Sequence, residues 1–243
     1  PPLNTNDLDQ LRPNRSALLL APLVREITRL TRDELDQFAR RARARLKAID
    51  ALKKVVEGVD FKAKDNEKEI QKLLERNPWL LDPTYTQFLS ADVRADTMFD
   101  RLAKHLKIGS HAAPEINEKV RPDLVFLLGA VKLGRLVIVE LKSANKALDS
   151  TCLDQLEGYM EDAESWLGEH GRSDMRVEGH LVGSKADPKS NAKHVLTLRR
   201  RIRKAGADTQ WKVRDYLDVL RDTEAAHQEL LDARVDDPQE PVD

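Results

Sequence analysis

The sequence predicts an α/β fold in which a central mixed sheet is flanked by helices and preceded by an N-terminal helical segment. Two continuous apolar runs, residues 124–128 and 136–141, are rich in Val, Ile, Leu and Phe and are bounded by Gly or Pro. Such runs are typical of strands that are covered on both faces. Helical periodicity at residues 66–77 and 150–170 predicts covering helices, and weak alternation at residues 175–183 predicts a further strand.

The N-terminal region is expected to be a linker followed by one long helix. Residues 1–14 hold three prolines and many polar groups, which is typical of a linker. Thr31, with Glu34 three residues later, forms a capping box and predicts a helix that runs to about residue 57. The apolar residues of this helix lie on one side, so it is interpreted as a hairpin partner or an oligomerisation helix.

The next helix is expected to begin at Asn66. Asn66 with Glu69 three residues later is a plausible N-terminal cap, and Asn77 followed by Pro78 ends the helix. This places the start of the main domain. We expect a linker and helical segment over residues 1–65, a folded domain over residues 66–231, and a disordered acidic tail over residues 232–243. The later elements predicted in the domain are a helix at 195–204, a short strand at 211–213 and a closing helix at 216–231.

Three charged residues interrupt the two apolar strands: Asp123, Glu140 and Lys142. A charge in a sheet is too unfavourable to keep without a partner, and a divalent cation is a suitable partner for two carboxylates. Two carboxylates and the backbone carbonyl of Leu141 would supply the oxygen ligands that Mg²⁺ or Mn²⁺ prefers. The segment therefore predicts a metal site.

Strand geometry brings these residues together. The link at residues 129–135 is short and holds two glycines, which favours an antiparallel hairpin. Because side chains alternate along a strand, Glu140 and Lys142 project from one side while Leu141 enters the core. Asp123, at the outer end of the partner strand, can reach the same side. Phosphodiester hydrolysis needs such a set, since a cation polarises the phosphoryl oxygen and a nearby ammonium orients water.

A structural salt bridge between Glu140 and Lys142 is the alternative interpretation. An acid, any residue and then Lys also occurs at residues 60–62 and 187–189, so the tripeptide alone is a weak signal. The copy at Glu140 differs because it ends an apolar strand and follows a Pro122-Asp123 pair at strand distance.

With these residues in place, the chain resembles the PD-(D/E)XK nuclease superfamily and, within it, Shedu-type immune nucleases. Pro122-Asp123 and then Glu140-Leu141-Lys142 are similar to the superfamily signature. Residues 66–81 resemble the helix that precedes the catalytic hairpin in that group, and Gln155 with Tyr159 matches its Gln-x-x-x-Tyr helix. The resemblance covers about residues 66–231.

The resemblance implies a restriction-endonuclease-like core and a Mg²⁺- or Mn²⁺-dependent DNA endonuclease in prokaryotic defence against phage or plasmids, with homo-oligomers as plausible assemblies. It implies that Asp123 and Glu140 bind the cation, that Lys142 assists catalysis, and that Gln155 contacts metal-bound water or phosphate. It also implies that Glu67 approaches the site from the first helix, although Glu69 lies two residues away. Two alternatives stay open: a nuclease-fold module that binds DNA or a partner without cutting, and a DNA repair endonuclease.

Composition limits the class of protein. The length of 243 residues allows one domain of about 150–180 residues plus an appendage. A single cysteine, Cys152, excludes an internal disulfide and a multi-cysteine zinc site, so a reducing, cytoplasmic location is the default expectation. The longest early apolar run, residues 17–24, contains Pro22 and is too short to span a bilayer, so no membrane association is expected.

A net charge of −1 does not mark a nucleic-acid-binding protein, so local clusters of charge matter more. Five cations within six residues exceed what solubility requires and favour a DNA-binding role. They are Arg199, Arg200, Arg201, Arg203 and Lys204.

Overall fold

A computed structural model describes residues 15–58, 61, 65–85, 88–91, 94–108, 121–128, 134–206 and 208–235. The chain forms two compact units, Pro1–Lys47 and Ala48–Asp243. The linker expected at residues 1–14 lies outside the described residues. No helix among the described residues is long and apolar enough to cross a membrane.

Helix α1 spans Arg15–Val56. The prediction that this helix begins at Thr31 is wrong, because the preceding residues are already helical. A capping box marks a helix start only where the chain before it is not helical, and the run at residues 17–24 is rich in Leu and Ala, which are strong helix formers. In the larger unit, the last turns of α1 bury Ile49, Leu52 and Val56.

The larger unit is built on one five-stranded mixed sheet with the strand order β1-β2-β3-β4-β5. The first three strands are antiparallel neighbours, and β3, β4 and β5 are parallel neighbours. The prediction of a central mixed sheet flanked by helices is therefore confirmed. The strands are β1 Phe88–Ala91, β2 Leu124–Leu128, β3 Arg135–Leu141, β4 Arg176–Gly183 and β5 Trp211–Asp215.

Helices cover both faces of this sheet. The further helices are α2 Glu67–Arg76, α3 Ala95–Leu106, α4 Ser150–Glu169, α5 Lys193–Lys204, α6 Tyr216–Ala226 and α7 Gln228–Val235, with a 3₁₀ turn at Pro78–Leu80. Alternate residues of β2 and β3 enter two separate cores. One core contains residues of α3 and α4, and the other contains residues of α2, α6 and the end of α1. This explains why β2 is apolar throughout and why β3 is apolar from Leu136 to Val139.

The antiparallel hairpin of β2 and β3 agrees with the sequence prediction, and so does the helix at residues 150–170. Strand β1 and helix α3 had no counterpart in the sequence prediction. The closing helix, expected as one element, is two helices that meet at His227. The prediction that the disordered acidic tail begins at residue 232 is wrong for residues 232–235, which are the last residues of α7, and residues 236–243 lie outside the described residues.

Candidate active site

Asp123 and Glu140 lie opposite each other at one end of the sheet. The β2–β3 ladder pairs Leu124 with Val139, so the next pair outward is Asp123 with Glu140. Opposite residues of an antiparallel pair project from the same face. The Oδ2 atom of Asp123 accepts a hydrogen bond from the backbone N–H of Leu141 at 2.7 Å, which fixes this carboxylate beside the end of β3.

Both carboxyl groups are held in an unfavourable environment. Burial, and next the charge of Glu140, raise the pKa of Asp123 to about 7. Burial likewise raises the pKa of Glu140, although the ammonium of Lys142 opposes the shift. The Oε2 atom of Glu140 is buried and has no hydrogen-bond partner among the described residues. A buried carboxylate oxygen without a partner is rare and is an indication of a ligand position.

Lys142 joins Glu140 to helix α4. Its Nζ atom donates a hydrogen bond to Glu140 Oε1 and a second to Gln155 Oε1 at 3.0 Å. The amide nitrogen of Gln155 donates to the hydroxyl of Tyr159 at 2.5 Å. Gln155 is exposed at the edge of α4, so solvent reaches the site from this side. The chain of hydrogen bonds fixes the ammonium between the buried carboxylate and the open side of the site.

Helix α2 holds the chain that follows β3. Glu67 Oε2 accepts the backbone N–H of Ser143 at 2.8 Å, and Asn66 Oδ1 accepts that of Ala144 at 3.3 Å. Asn66 occupies the N-cap position of α2 as predicted, but its side chain makes no cap hydrogen bond to the helix. A long-range contact to this loop has replaced the local one.

Two further contacts fix the backbone around Lys142. The hydroxyl of Tyr216, the first residue of α6, donates to the carbonyl oxygen of Lys142 at 2.7 Å. The backbone N–H of Lys142 donates to the carbonyl of Val182 at 2.9 Å. On the other acid, Gln71 of α2 donates to the carbonyl of Asp123 at 3.2 Å. The site is therefore built by strands β2, β3 and β4 and by helices α2, α4 and α6.

Comparisons with known proteins add little to this geometry. No family model matches the chain, and no curated protein matches it. Among solved structures, the chain is similar to the restriction endonuclease FokI, with a TM-score of 0.29 and 15% identity. This likeness covers 56% of the present chain and 26% of the FokI chain. At that level the likeness carries no information on activity, which has to be inferred from the residues of this chain.

The structure brings together the five residues predicted as catalytic. Asp123, Glu140 and Lys142 meet at the end of the hairpin, and Gln155 reaches them from α4. Glu67 approaches from α2, and its charge raises the pKa of both Asp123 and Glu140. Glu69, the other acid considered for this position, is exposed and lines a groove between α1 and α2 instead.

The predicted basic cluster is divided by the structure. Arg199 donates hydrogen bonds to backbone carbonyls of the loop before α5, and Arg201 pairs with Asp154 and Glu157 of α4. These two cations are therefore engaged inside the molecule. The other three, Arg200, Arg203 and Lys204, are exposed.

The oxygen atoms at this site can be compared with the ligands that a divalent cation requires. No group of three or more His, Cys, Asp or Glu side chains within the described ranges could hold a metal ion. Mg²⁺, however, is commonly held by one or two carboxylates and keeps several waters. Asp123, the unpartnered oxygen of Glu140 and the carbonyl of Leu141 fit that requirement in kind.

Three residues of the site were missed by sequence reasoning: Asn66 as a loop anchor, Gln71 and Tyr216. Gln71 did carry a signal, since it adjoins Ile70 on the buried side of α2. A polar side chain in that position needs a buried partner. For Tyr216 no local signal exists, because its partner lies 74 residues earlier in the chain.

Proposed function

We propose that this chain is a metal-dependent nuclease that hydrolyses DNA phosphodiester bonds. The observation that supports it is the pairing of Asp123 with Glu140 at the end of a buried sheet, where one oxygen of Glu140 has no partner among the described residues. A buried carboxylate beside a half-buried one of like charge is unfavourable unless a cation neutralises the pair. The site therefore has the chemistry of a cation-binding site that opens to solvent beside a lysine.

In this proposal Asp123, Glu140 and the Leu141 carbonyl hold Mg²⁺ or Mn²⁺. When bound, such a cation polarises a phosphoryl oxygen and lowers the pKa of water. The protein contributes a fixed geometry, since Asp123 is held by the N–H of Leu141 and β3 is paired on both sides. Preorganised ligands of this kind need little rearrangement when substrate arrives.

Lys142 has a separate role. Its ammonium lies between Glu140 and Gln155, and its side chain is 13% exposed at the side of the site where Gln155 meets solvent. From there it can donate to a phosphate oxygen or orient the attacking water, and it offsets negative charge that develops in the reaction. Gln155 positions the ammonium and can itself contact phosphate or water.

The biological setting follows from the resemblance to Shedu-type immune nucleases, which supports cytoplasmic defence against phage or plasmids by a homo-oligomer. In that setting residues 66–231 form the catalytic domain. A repair endonuclease with the same chemistry is the rival. Assays on linear, nicked and flapped duplexes separate the two, since a repair enzyme is expected to prefer nicked or branched ends.

One observation favours a second candidate, a module that binds DNA without cutting it. Lys142 already neutralises one oxygen of Glu140, so the pair can persist as a structural ion pair. The test is cleavage of duplex DNA with Mg²⁺ or Mn²⁺ by the parent chain and by Asp123→Asn and Glu140→Gln. We expect cleavage by the parent only. Undiminished cleavage by either variant contradicts the site, and a parent that never cleaves supports the binding module.

A further inference from the structure

One guanidinium group makes four hydrogen bonds to the loop between β4 and α5, in addition to the bonds that Lys185 makes to Asp215 and Asp218. Arg199, on α5, donates through Nη1 to the carbonyl oxygens of Pro188 at 3.0 Å and Ser190 at 3.2 Å. Through Nη2 it donates to Asp187 at 2.5 Å and Ala186 at 3.5 Å. One side chain thus satisfies four backbone acceptors of the loop at residues 185–191. Its planar fork suits this role, which a lysine cannot reproduce.

This loop lies at the same edge of the sheet as the candidate active site. Strands β3 and β4 are parallel, with Glu140 beside Leu181, so the residues that follow each strand share one edge. The two loops are also bonded directly, since the backbone N–H of Leu148 donates to the carbonyl of Ser184 at 2.9 Å. The loop after β3, which carries Lys146, therefore runs beside the loop braced by Arg199.

Besides Lys185, three lysines of this edge are exposed: Lys146 after β3, Lys189 in the braced loop and Lys193 at the start of α5. None of them makes an ion pair with another described residue. Lys185 differs, because its Nζ atom pairs with Asp218 at 2.5 Å. Exposed cations on a fixed backbone can neutralise phosphates without first breaking an internal contact.

The C-terminal half of α5 leads away from this edge. Strand β5 is parallel to β4 and begins opposite Gly179, so α5 has to run back along the sheet to reach it. Arg200, Arg203 and Lys204 follow the first turns of this 12-residue helix, which is about 18 Å long. The exposed part of the predicted basic cluster is therefore at the opposite end of α5 from Lys193, which follows the braced loop.

We infer that Lys146, Lys189 and Lys193 form the surface that binds the DNA backbone beside the site, and that Arg199 is a positioning residue that holds the loop in place. This inference rests on the proposed function for the identity of the nucleic acid. It assigns the phosphate contacts to the loops that share an edge with the two carboxylates, in place of the cluster at the end of α5.

The test is binding of the full chain to a fluorescent DNA duplex in EDTA, measured by anisotropy between 50 and 200 mM salt. Two matched triple variants are compared: K146Q/K189Q/K193Q and R200Q/R203Q/K204Q. Each lost phosphate contact lowers the slope of log K against log salt by about 1, so we expect a decrease of about 3 for the first set. The second set is expected to bind like the parent. An equal loss in both sets, or a loss confined to the second, overturns the inference.

Arg199→Lys tests the positioning role, because it keeps the charge and loses the fork. We expect weaker DNA binding, and faster tryptic cleavage after Lys185 or Lys189, in a variant whose melting transition shows that it is folded. Binding and proteolysis like those of the parent overturn the role of Arg199. If Arg199 instead contacted phosphate directly, Arg199→Lys would keep the positive charge, and DNA binding would be preserved.

Cleavage measured separately with Mg²⁺ distinguishes this inference from the proposed function. If the parent binds through the three lysines and never cleaves, the binding surface stands and the nuclease proposal fails. If the parent cleaves while the first triple variant binds DNA like the parent, the nuclease proposal stands and the binding surface is overturned. A parent that binds no duplex at any of these salt concentrations overturns the surface as well.

Discussion

Asp123 accepts the backbone N–H of Leu141 through its side chain, at 2.7 Å. The carboxylate takes the position of a backbone acceptor just before β2 begins, so the sheet itself holds an acid at its edge. This contact orients the carboxylate but does not neutralise it, because burial and the charge of Glu140 still raise its pKa to about 7. Asp123 therefore has a structural role in the sheet, and its negative charge still favours the binding of a cation.

Lys142 and Gln155 are expected to differ in the size of their effects. Lys142→Ala should reduce the cleavage rate by about 100-fold or more, because the ammonium acts in the reaction itself. Gln155→Leu removes one hydrogen bond that orients Lys142, which corresponds to about tenfold. Single-turnover rates on a linear duplex measure both. Equal effects of the two substitutions would show that Lys142 has no chemical role beyond its position.

Glu67 allows a test of anchoring against metal binding. Its Oε2 atom accepts the N–H of Ser143, and the amide oxygen of Glu67→Gln can do the same. If Glu67 anchors the loop, Glu67→Gln retains most activity while Glu67→Ala loses about tenfold or more, the amount expected for one lost hydrogen bond to a charged group. Loss of activity by both variants to the same extent would instead show that the charge itself is required. Glu69→Gln is the matched control, because that side chain is exposed.

Gly183 is expected to be required at the end of β4. A Cβ atom there would lie 2.6 Å from Leu148 Cδ2 and 3.1 Å from Lys142 Cβ. Gly183→Ala should therefore destabilise the fold by about 1–3 kcal/mol and displace the chain around Lys142. Gly158→Ala is the control, since outside the local turn of α4 no atom of the described residues lies within 4 Å of its Cβ position, and alanine favours the helix. Urea unfolding of the two variants measures the difference, and equal stability would contradict the packing described.

His180 gives a prediction of stability against pH. Burial, and next the charges of Lys212 and Arg214, lower its pKa from 6.5 to about 4. Between these values the unfolded chain binds a proton that the folded chain does not. This contribution to stability is therefore fully present above pH 6.5 and is lost as pH falls towards 4. The loss is up to about 3 kcal/mol, at about 1.4 kcal/mol per pKa unit.

His180→Gln should remove this dependence, because the amide does not titrate and can still bond to the hydroxyl of Tyr85, which lies 2.9 Å from His180 Nε2. Urea midpoints of the parent and the variant should diverge between pH 7 and pH 4.5. Parallel curves over that range would show that the buried imidazole does not control acid stability.

The hairpin and its flanking helix α4 were predictable because their signals are local. Residues 124–128 and 136–139 form unbroken apolar runs with Gly or Pro near their ends, and α4 has a regular apolar stripe. The charges at Asp123, Glu140 and Lys142 stand out against this background. The assignment of Gln155 to the site rests instead on the resemblance, because Gln155 and Tyr159 match the Gln-x-x-x-Tyr helix of Shedu-type nucleases.

The other features depend on contacts that are distant in sequence. Asn66 has the pattern of a helix cap, yet it bonds to Ala144, and nothing near either residue indicates this partner. Arg199 counts as one of five cations in the sequence, whereas the fold turns its side chain onto four carbonyls. Strand β1 is only four residues long, too short to show a period. Tertiary contacts thus determine the roles of Asn66 and Arg199, and the short length of β1 leaves no periodic signal in the sequence.

The most direct test is a crystal of the parent chain soaked in Mn²⁺, with anomalous scattering used to locate the ion. We predict one Mn²⁺ peak between the carboxylates of Asp123 and Glu140, within about 2.5 Å of the Leu141 carbonyl oxygen, and no peak in Asp123→Asn. Absence of any peak there at millimolar Mn²⁺, with Lys142 still bonded to Glu140, would contradict a metal-dependent site.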